Sequence, residues 1–269
     1  MPMKSVIPEH KKTVLQAADL TVGYHQKKGL QIIEADIQLK LQEGELIGLI
    51  GANGIGKSTL LKTFSGIIPA LHGTIHIDSE QLDTFTPQIL SKKISLVLTE
   101  APASKYLTVQ ELVSLGRHPY TNWVGSLSDD DVAKVKSAIE ITHIQDLAHK
   151  KCYTLSDGQL QKVMIARAIA QDTPLLILDE PTTHLDVHYK AYILKLLKRL
   201  TFEYKKTVLF STHEIDYAIQ VCDKIIVMKS DSLEFGRPKE LIACRAFQEL
   251  FPKDLVIFDE VSQRYILRN

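Results

Sequence analysis

Gly51-Ala52-Asn53-Gly54-Ile55-Gly56-Lys57-Ser58-Thr59 is a glycine-rich stretch that fits the pattern G-x-x-x-x-G-K-[ST] at every fixed position. Residues 45–50 before it, which are apolar after Glu45, predict a short buried strand, and residues 59–64 after it predict the start of a helix. A strand, a glycine loop and a helix in this order are the context in which the pattern is typical of a phosphate-binding loop. The sequence therefore predicts an α/β protein that binds a nucleoside triphosphate.

The residue types in this loop suit the chemistry of a triphosphate. Glycines let the backbone curl until several N–H groups point at one phosphate, and the N-terminus of the following helix adds partial positive charge. Lys57 can reach the β- and γ-phosphates, and the hydroxyl of Ser58 can ligate Mg²⁺. The alternative is a glycine-rich turn with a chance lysine, which four fixed residues and matching flanks disfavour.

Composition and charge narrow the class of protein. The chain has 269 residues, a length that allows one large domain or a core with an inserted sub-domain. Its net charge is +0, so no basic field indicates a nucleic-acid partner. We find no apolar run near the roughly 20 residues of a membrane helix and no signal peptide. Cys152, Cys222 and Cys244 are unclustered, which favours reduced thiols in the cytosol over disulfides or a zinc site.

The order of predicted elements divides the chain into segments. Residues 1–12 are polar and expected to be flexible, and strand patterns cover residues 13–22 and 32–39. From Thr108 the pattern becomes helical, which predicts a helical sub-domain at about residues 101–170 inserted in a main domain of residues 13–254. Strands and helices alternate again from residue 175, and residues 255–269 form a C-terminal extension with two short strand candidates.

Two acidic residues directly follow the apolar run at residues 175–178. A carboxylate at the carboxyl end of a buried parallel strand lies at the edge where α/β proteins bind their ligands. Asp179 is therefore predicted to hold Mg²⁺, and Glu180 to polarise the attacking water as a general base. An ordinary acidic loop after a strand is the alternative, and the nearby phosphate loop makes it the weaker one.

A second candidate segment is Leu155-Ser156-Asp157-Gly158-Gln159, which precedes a helical pattern. Ser156 with Gln159 three residues later predicts a helix capping box, a purely structural role. Alternatively, Ser156 and the N–H of Gly158 face a phosphate at the helix N-terminus. The segment taken alone favours the structural interpretation.

The functional interpretation of residues 155–159 becomes the stronger one when five segments are considered in their order along the chain. These are residues 51–59, 155–159, 175–180, 183–186 and 211–213. Together they resemble the ATP-binding cassette (ABC) ATPase family over nearly the whole chain. The resemblance implies a P-loop fold with a mainly parallel core sheet, an antiparallel β sub-domain and the inserted helical sub-domain. It also implies that the protein is an ATPase with ATP and Mg²⁺ as cofactors.

The resemblance assigns further roles. Tyr24 matches the aromatic residue that stacks on adenine, Asp186 the D-loop aspartate, and His213 the switch histidine that contacts the γ-phosphate. Residues 155–159 match the signature motif, which in such proteins acts on the nucleotide of a second cassette paired head to tail. Ser156, Gly158 and Gln159 would therefore act on a partner's ATP, which implies that the chain pairs with a second copy of itself or with a related chain.

Two residues depart from the family pattern. Asp157 replaces the first of two signature glycines, and a carboxylate near a γ-phosphate is repulsive unless it points away. Because an aspartate at a helix start is locally favourable, we expect it to point outward. Glu100 stands where the family has the Q-loop glutamine; its oxygen could ligate Mg²⁺, but it cannot donate a hydrogen bond as an amide does.

The stretch Leu115-Gly116-Arg117-His118-Pro119-Tyr120, taken with Thr182-Thr183-His184-Leu185-Asp186, resembles the importer branch that handles iron–siderophore complexes, haem and cobalamin. That branch implies a peripheral protein on the cytoplasmic face of the inner (cell) membrane. Its partners would be integral-membrane permease subunits and, indirectly, a substrate-binding protein. The alternatives are a cytosolic ABC ATPase of another process, such as iron–sulfur cluster assembly, and an ATP-binding regulatory module with little turnover.

Overall fold

The computed structural model describes residues 11–27, 29–99, 106–230, 232–251 and 254–268. The strands are β1 (Thr13–Gln26), β2 (Gly29–Gln42), β3 (Leu46–Gly51), β4 (His72–Ile77), β5 (Glu80–Gln81), β6 (Ile94–Val97), β7 (Leu175–Leu178), β8 (Thr207–Ser211), β9 (Lys224–Met228), β10 (Leu233–Gly236), β11 (Val256–Asp259) and β12 (Arg264–Leu267). The helices are α1 (Lys57–Phe64), α2 (Pro87–Leu90), α3 (Val109–Ser114), α4 (Asp129–Ile141), α5 (Asp157–Ala170), α6 (Val187–Glu203), α7 (Ile215–Val221) and α8 (Pro238–Ala243).

A six-stranded sheet in the order β10-β9-β3-β8-β7-β6 forms the centre of the fold. Its strands pair in parallel except β10, which lies antiparallel at one edge. Side chains alternate between the two faces along each strand: in β3, Leu46 and Ile50 enter one hydrophobic cluster while Ile47 and Leu49 enter the other. The parallel strands are mostly apolar, as strands covered on both faces usually are, and the predicted mainly parallel core sheet is confirmed.

One face of this sheet is covered by α1 and by a second, antiparallel sheet in the order β2-β1-β4-β5. Leu60, Leu61 and Phe64 of α1 are fully buried there. The expected antiparallel β unit is therefore present. Strand β2 is longer than the predicted 32–39 because it forms a hairpin with β1, in which Gln26 pairs with Gly29.

The helices α3 to α8 contribute to the opposite face, and α3 to α5 occupy the stretch predicted to be a helical sub-domain. Val109, Val135 and Val163 belong to the same buried cluster as Leu176 and Phe210 of the central sheet. The helical segment therefore shares the core of the sheet instead of forming one of its own. Capping boxes open three of these helices: the predicted box at Ser156 with Gln159, and boxes at Thr108 with Glu111 and at Ser128 with Asp131.

The two ends of the described chain are tied to the rest of the fold. The carbonyl of Lys12 accepts a hydrogen bond from the N–H of Glu43 at 2.8 Å. At the other end β11 and β12 form a hairpin whose Phe258 stacks on Phe247 with ring centroids 5.0 Å apart. Across the described residues, no helix combines the length and the apolar character that crossing a membrane requires.

A buried ion pair fastens the helical segment together. Arg117, in the 3-10 turn Leu115–Tyr120, donates from Nε to Oδ1 of Asp131 at 2.8 Å and from Nη1 to the carbonyl of Ala170 at 2.9 Å. Both charged side chains are almost fully buried. The stretch therefore joins the start of α4 to the end of α5, the helix that begins at Asp157.

We expect Asp131→Asn to lower the free energy of unfolding at neutral pH by about 3–5 kcal/mol, because it leaves the Arg117 charge buried and unpaired. Hydrogen bonds from the hydroxyl and backbone N–H of Ser128, together with Arg117, lower the pKa of Asp131 from 3.8 to about 2. The stabilisation from this lowered pKa, about 2 kcal/mol, is present above pH 4 and is lost as the pH falls towards 2.

Denaturant unfolding between pH 7 and pH 2 measures this effect. The difference in free energy of unfolding between the native chain and Asp131→Asn should shrink as the pH falls through the acid range. Asp130→Asn is the control, since it removes an exposed carboxylate from the same helical turn. A difference in free energy of unfolding that stays constant down to pH 2 would contradict the role of the ionised Asp131.

Candidate nucleotide site

The phosphate loop lies between the end of β3 and the start of α1. Gly56 has a φ of 114°, and a Cβ added there would lie 2.2 Å from Cγ2 of Ile33, so only glycine fits this position. The ammonium of Lys57 donates to the carbonyl of Gly51 at 2.9 Å and to that of Ala52 at 3.0 Å. The loop is thus wrapped around the lysine that was predicted to meet the phosphates.

Burial changes the electrostatics of Lys57. The residue is nearly inaccessible to solvent, and desolvation lowers the pKa of its ammonium while the carboxylates of Glu180 and Asp179 partly oppose the shift. A cation in such an environment is poorly hydrated. A phosphate in the loop therefore gains more from Lys57 than it would from a lysine in water.

The predicted carboxylates lie at the carboxyl end of β7, where β7 pairs in parallel with β8. The hydroxyl of Ser211, the last residue of β8, donates to Oδ1 of Asp179 at 2.6 Å. The same hydroxyl accepts the N–H of Glu180 at 2.8 Å. Ser211 therefore sets both the side chain of Asp179 and the backbone of Glu180, which turns through the left-handed region at a φ of 51°.

The Glu180 side chain is held at both of its oxygens. Thr183 donates from its hydroxyl to Oε2 at 3.0 Å, and Nε2 of His213 forms a short hydrogen bond with Oε1. Since His213 follows β8 and Glu180 follows β7, the strand pairing brings the two predicted catalytic side chains together. A carboxylate held in this way is oriented for proton transfer.

A cleft of about 370 Å³ joins the phosphate loop to these side chains. Its lining residues are Asn53, Gly54, Gly56, Lys57, Ser58, Thr59, Glu180 and His213. Asp179 is buried just behind it. The structure therefore brings residues predicted from three separate segments of the sequence into one site.

Tyr24, predicted to stack on adenine, lies near the end of β1 and is tied to this site. Its hydroxyl is 2.8 Å from Oγ1 of Thr59, in the first turn of α1. The ring is more than a third exposed. An exposed aromatic face beside the phosphate loop can stack on a nucleobase, and the adenine role stays a prediction.

The predicted signature residues are not among those that line the cleft within the described part of the chain. Ser156 caps α5, where its hydroxyl accepts the N–H of Gln159 at 3.4 Å. Asp157 is exposed, and Asp186 caps α6 by accepting the N–H of Tyr189 at 2.8 Å. The predicted Mg²⁺ ligand Glu100 lies outside the described residues.

The sequence-based analysis did not identify Ser211, Thr183 or Ile33 as contributors to the site. Ser211 stands at the end of an apolar strand, two residues before His213, which is a signal for a strand-end residue at the ligand edge. Ile33 carries no such signal, because its contact with Gly56 depends on how the antiparallel sheet packs on the phosphate loop.

Comparison with known proteins identifies the family. The model of the family described as ABC transporter matches residues 35–183, more than half of the chain. The chain belongs to the ABC transporter family. It is therefore an ATP-binding cassette and an ATPase, as the order of motifs predicted.

Two relatives illustrate the similarity in sequence. The iron(3+)-hydroxamate import ATP-binding protein of Bacillus subtilis is 34% identical over 90% of this chain and 89% of its own length. The achromobactin transport ATP-binding protein of Dickeya dadantii is 34% identical over 86% of this chain and 84% of its own length.

Solved structures of ABC cassettes share the fold. An ABC transporter described as of the metal-chelate type, in an inward-facing conformation, gives a TM-score of 0.77 at 27% identity and covers 89% of each chain. A bacterial ABC transporter cassette solved as a dimer gives a TM-score of 0.73 at 27% identity, over 83% of this chain and 98% of that one. The predicted α/β cassette architecture is therefore confirmed.

We expect Ser211→Ala to lower kcat for ATP hydrolysis by about ten- to a hundredfold, because a small misplacement of Asp179 and Glu180 is enough to cost that much. The KM for ATP should change little, since the phosphate loop keeps its contacts. Steady-state phosphate release measures both constants.

Ser95→Ala is the matched control, because it removes another buried hydroxyl of the same sheet, bonded to Thr173 at 2.9 Å and away from the two carboxylates. Native kcat in Ser211→Ala would mean that the strand ends hold both carboxylates without this hydroxyl.

Proposed function

We propose that this chain is the ATP-hydrolysing subunit of an importer for an iron–siderophore, haem or cobalamin-type ligand, working on the cytoplasmic face of the cell membrane. The observation that carries the hydrolytic part is the orientation of Glu180 by His213 and Thr183 in the cleft beside Lys57. Similarity to proteins named import ATP-binding proteins over about nine-tenths of the chain supports the importer part.

In this proposal the phosphate loop, residues 51–59, binds the triphosphate through its backbone N–H groups and the Lys57 ammonium. Tyr24 stacks on the adenine. Ser58 and Asp179, with Glu100 as a third predicted ligand, hold Mg²⁺, which would neutralise charge on the phosphates. Hydroxyl and carboxylate oxygens are donors that suit this hard cation, and Mg²⁺ needs only one or two of them beside the phosphates.

Hydrolysis then follows from the position of Glu180. A water attacks the γ-phosphorus, its proton passes to the Glu180 carboxylate, and the bond to the β–γ bridging oxygen breaks with the electron pair leaving on ADP. His213 holds one oxygen of Glu180, and in this proposal it also contacts the γ-phosphate. The hydrogen bond between them aligns the base before the water attacks.

A second cassette completes the site in this proposal. Ser156 is exposed at the start of α5, where it would act on a partner's nucleotide together with Gly158 and Gln159. A similar cassette has been solved as a dimer. The exposed position of Asp157 lets its carboxylate point into solvent instead of at the partner's γ-phosphate.

Glu180→Gln tests the hydrolytic role. Removing the general base should lower kcat for ATP hydrolysis by about 10²–10⁴-fold, while ATP binding is retained because the phosphate loop is unchanged. Phosphate release and nucleotide titration measure the two effects. Glu140→Gln, on the exposed face of α4, is the control. Equal turnover by the native chain and Glu180→Gln would remove Glu180 from the role of base.

A groove of about 1010 Å³ beside the helical segment is the surface that we assign to the permease. Its lining includes Leu115, Pro119 and Trp123, together with Pro87 of α2. The Trp123 side chain is 96% exposed, and Leu115 is also exposed. Large exposed apolar side chains around a groove are typical of a docking site for another protein.

Trp123→Ala should abolish or strongly reduce copurification of the cassette with a many-helix membrane protein, because it removes the largest exposed anchor of the groove. Pull-down from solubilised membranes followed by mass spectrometry measures this, and a substrate-binding protein recovered alongside would identify the ligand. Phe202→Ala, at an exposed aromatic residue of α6, is the control. Recovery of soluble partners alone, with ATPase activity intact, would favour a cytosolic ABC ATPase.

A further inference from the structure

The first turn of α6 is in tight contact with the signature segment, residues 155–159, of the same chain. A Cβ added to Gly158 would lie 2.7 Å from the ring of Tyr189, so the ring rests directly on the backbone at the start of α5. The ammonium of Lys162, one turn further along α5, lies 3.7 Å from the ring centroid of Tyr192 and 5.4 Å from that of Tyr189. A movement of Tyr189 must therefore displace the backbone of the signature segment.

The next residue of α6 contacts the switch segment, residues 211–214. The Lys190 ammonium forms a close ion pair with the carboxylate of Glu214, the neighbour of His213. The N–H of Glu214 donates to the Thr212 hydroxyl at 3.0 Å, so its backbone is fixed to the end of β8. Lys190 is therefore connected, through one side chain and one peptide unit, to the histidine that contacts Glu180.

These two contacts share one rigid element. Consecutive residues of a helix project about 100° apart, so Tyr189 and Lys190 reach different neighbours from the same turn. That turn is fixed by Asp186, which caps the helix by accepting the N–H of Tyr189 at 2.8 Å. A displacement of Glu214 that is passed to Lys190 therefore moves Tyr189 as well.

We propose that Tyr189 and Lys190 are positioning residues that couple the two nucleotides of the ATPase dimer within each subunit. The inference rests on the proposed function, in which His213 responds to a subunit's own ATP and residues 155–159 act on the partner's. A shift of the switch segment upon ATP binding moves Glu214, then α6 through Lys190, and finally the signature segment through Tyr189. Each subunit thereby adjusts the nucleotide site of its partner according to whether its own nucleotide site holds ATP.

The competing explanation is that the ion pair between Lys190 and Glu214 only stabilises the fold. Another ion pair of α6 serves as a comparison. Lys198, two turns further along, pairs with Asp223 at 2.7 Å. This pair also fastens α6 to the segment after α7, but it contacts neither residues 155–159 nor residues 211–214. Lys198→Ala is therefore the matched control for Lys190→Ala.

Hydrogen–deuterium exchange of the full chain tests the proposal. The probe is Mg²⁺ with the ATP analogue whose β–γ bridging oxygen is replaced by NH, at a protein concentration where sedimentation gives a monomer. In the native chain, the analogue should slow exchange in residues 51–59 and change exchange in residues 157–164 by about fivefold or more, the lower end of typical coupling between sites. Because no partner is present, the second response must pass within the chain.

In Lys190→Ala and in Tyr189→Ala the response of residues 51–59 should remain, and the response of residues 157–164 should disappear. Tyr189→Phe, which keeps the ring, and Lys198→Ala should respond like the native chain. Exchanging the charges in Lys190→Glu with Glu214→Lys should restore the response, which a general loss of stability would not allow.

Two results would overturn the coupling while leaving nucleotide binding intact. One is a native monomer whose residues 51–59 are protected and whose residues 157–164 do not respond. The other is a full response in Lys190→Ala. If residues 51–59 are not protected in any variant, nucleotide binding itself fails, and the proposed function falls together with the inference.

Discussion

The pairing of β7 with β8 is the constraint on which the site depends. In this register Leu178 lies opposite Phe210, so both strands end at the same edge of the sheet. The residues that follow, Asp179 and Ser211, are then close enough for a 2.6 Å hydrogen bond. A slip of one residue would turn every side chain of β7 to the other face and separate the carboxylates from Ser211 and His213.

The central sheet keeps this register because both of its faces are buried. α1 and the antiparallel sheet cover one face, and helices α3 to α8 cover the other. The same arrangement presents the N-terminus of α1 at the ligand edge, where Lys57 is buried and a phosphate meets backbone N–H groups. Burial of the core and placement of the site are thus consequences of one packing arrangement.

The N-terminal caps of two helices fix the segments that surround the site. Ser156 and Asp186 cap α5 and α6, and a cap both stabilises a helix and fixes the direction from which the chain enters it. For Ser156, the structural and the functional interpretations of the sequence are therefore compatible. Its capping bond to Gln159 holds the exposed turn that the proposal assigns to a partner's nucleotide.

The sequence by itself determined the phosphate loop, the strand-end carboxylates, the order of strands and helices, and the capping box at Ser156. These features depend on local residue types and on periodicity, which a sequence displays directly. Only the tertiary structure decided that Ser211 holds Asp179 and Glu180, that Ile33 requires glycine at position 56, and that Tyr189 rests on Gly158. Each of these contacts joins residues that are distant along the chain, and their meeting is set by sheet register and helix packing, for which a single sequence carries no local signal.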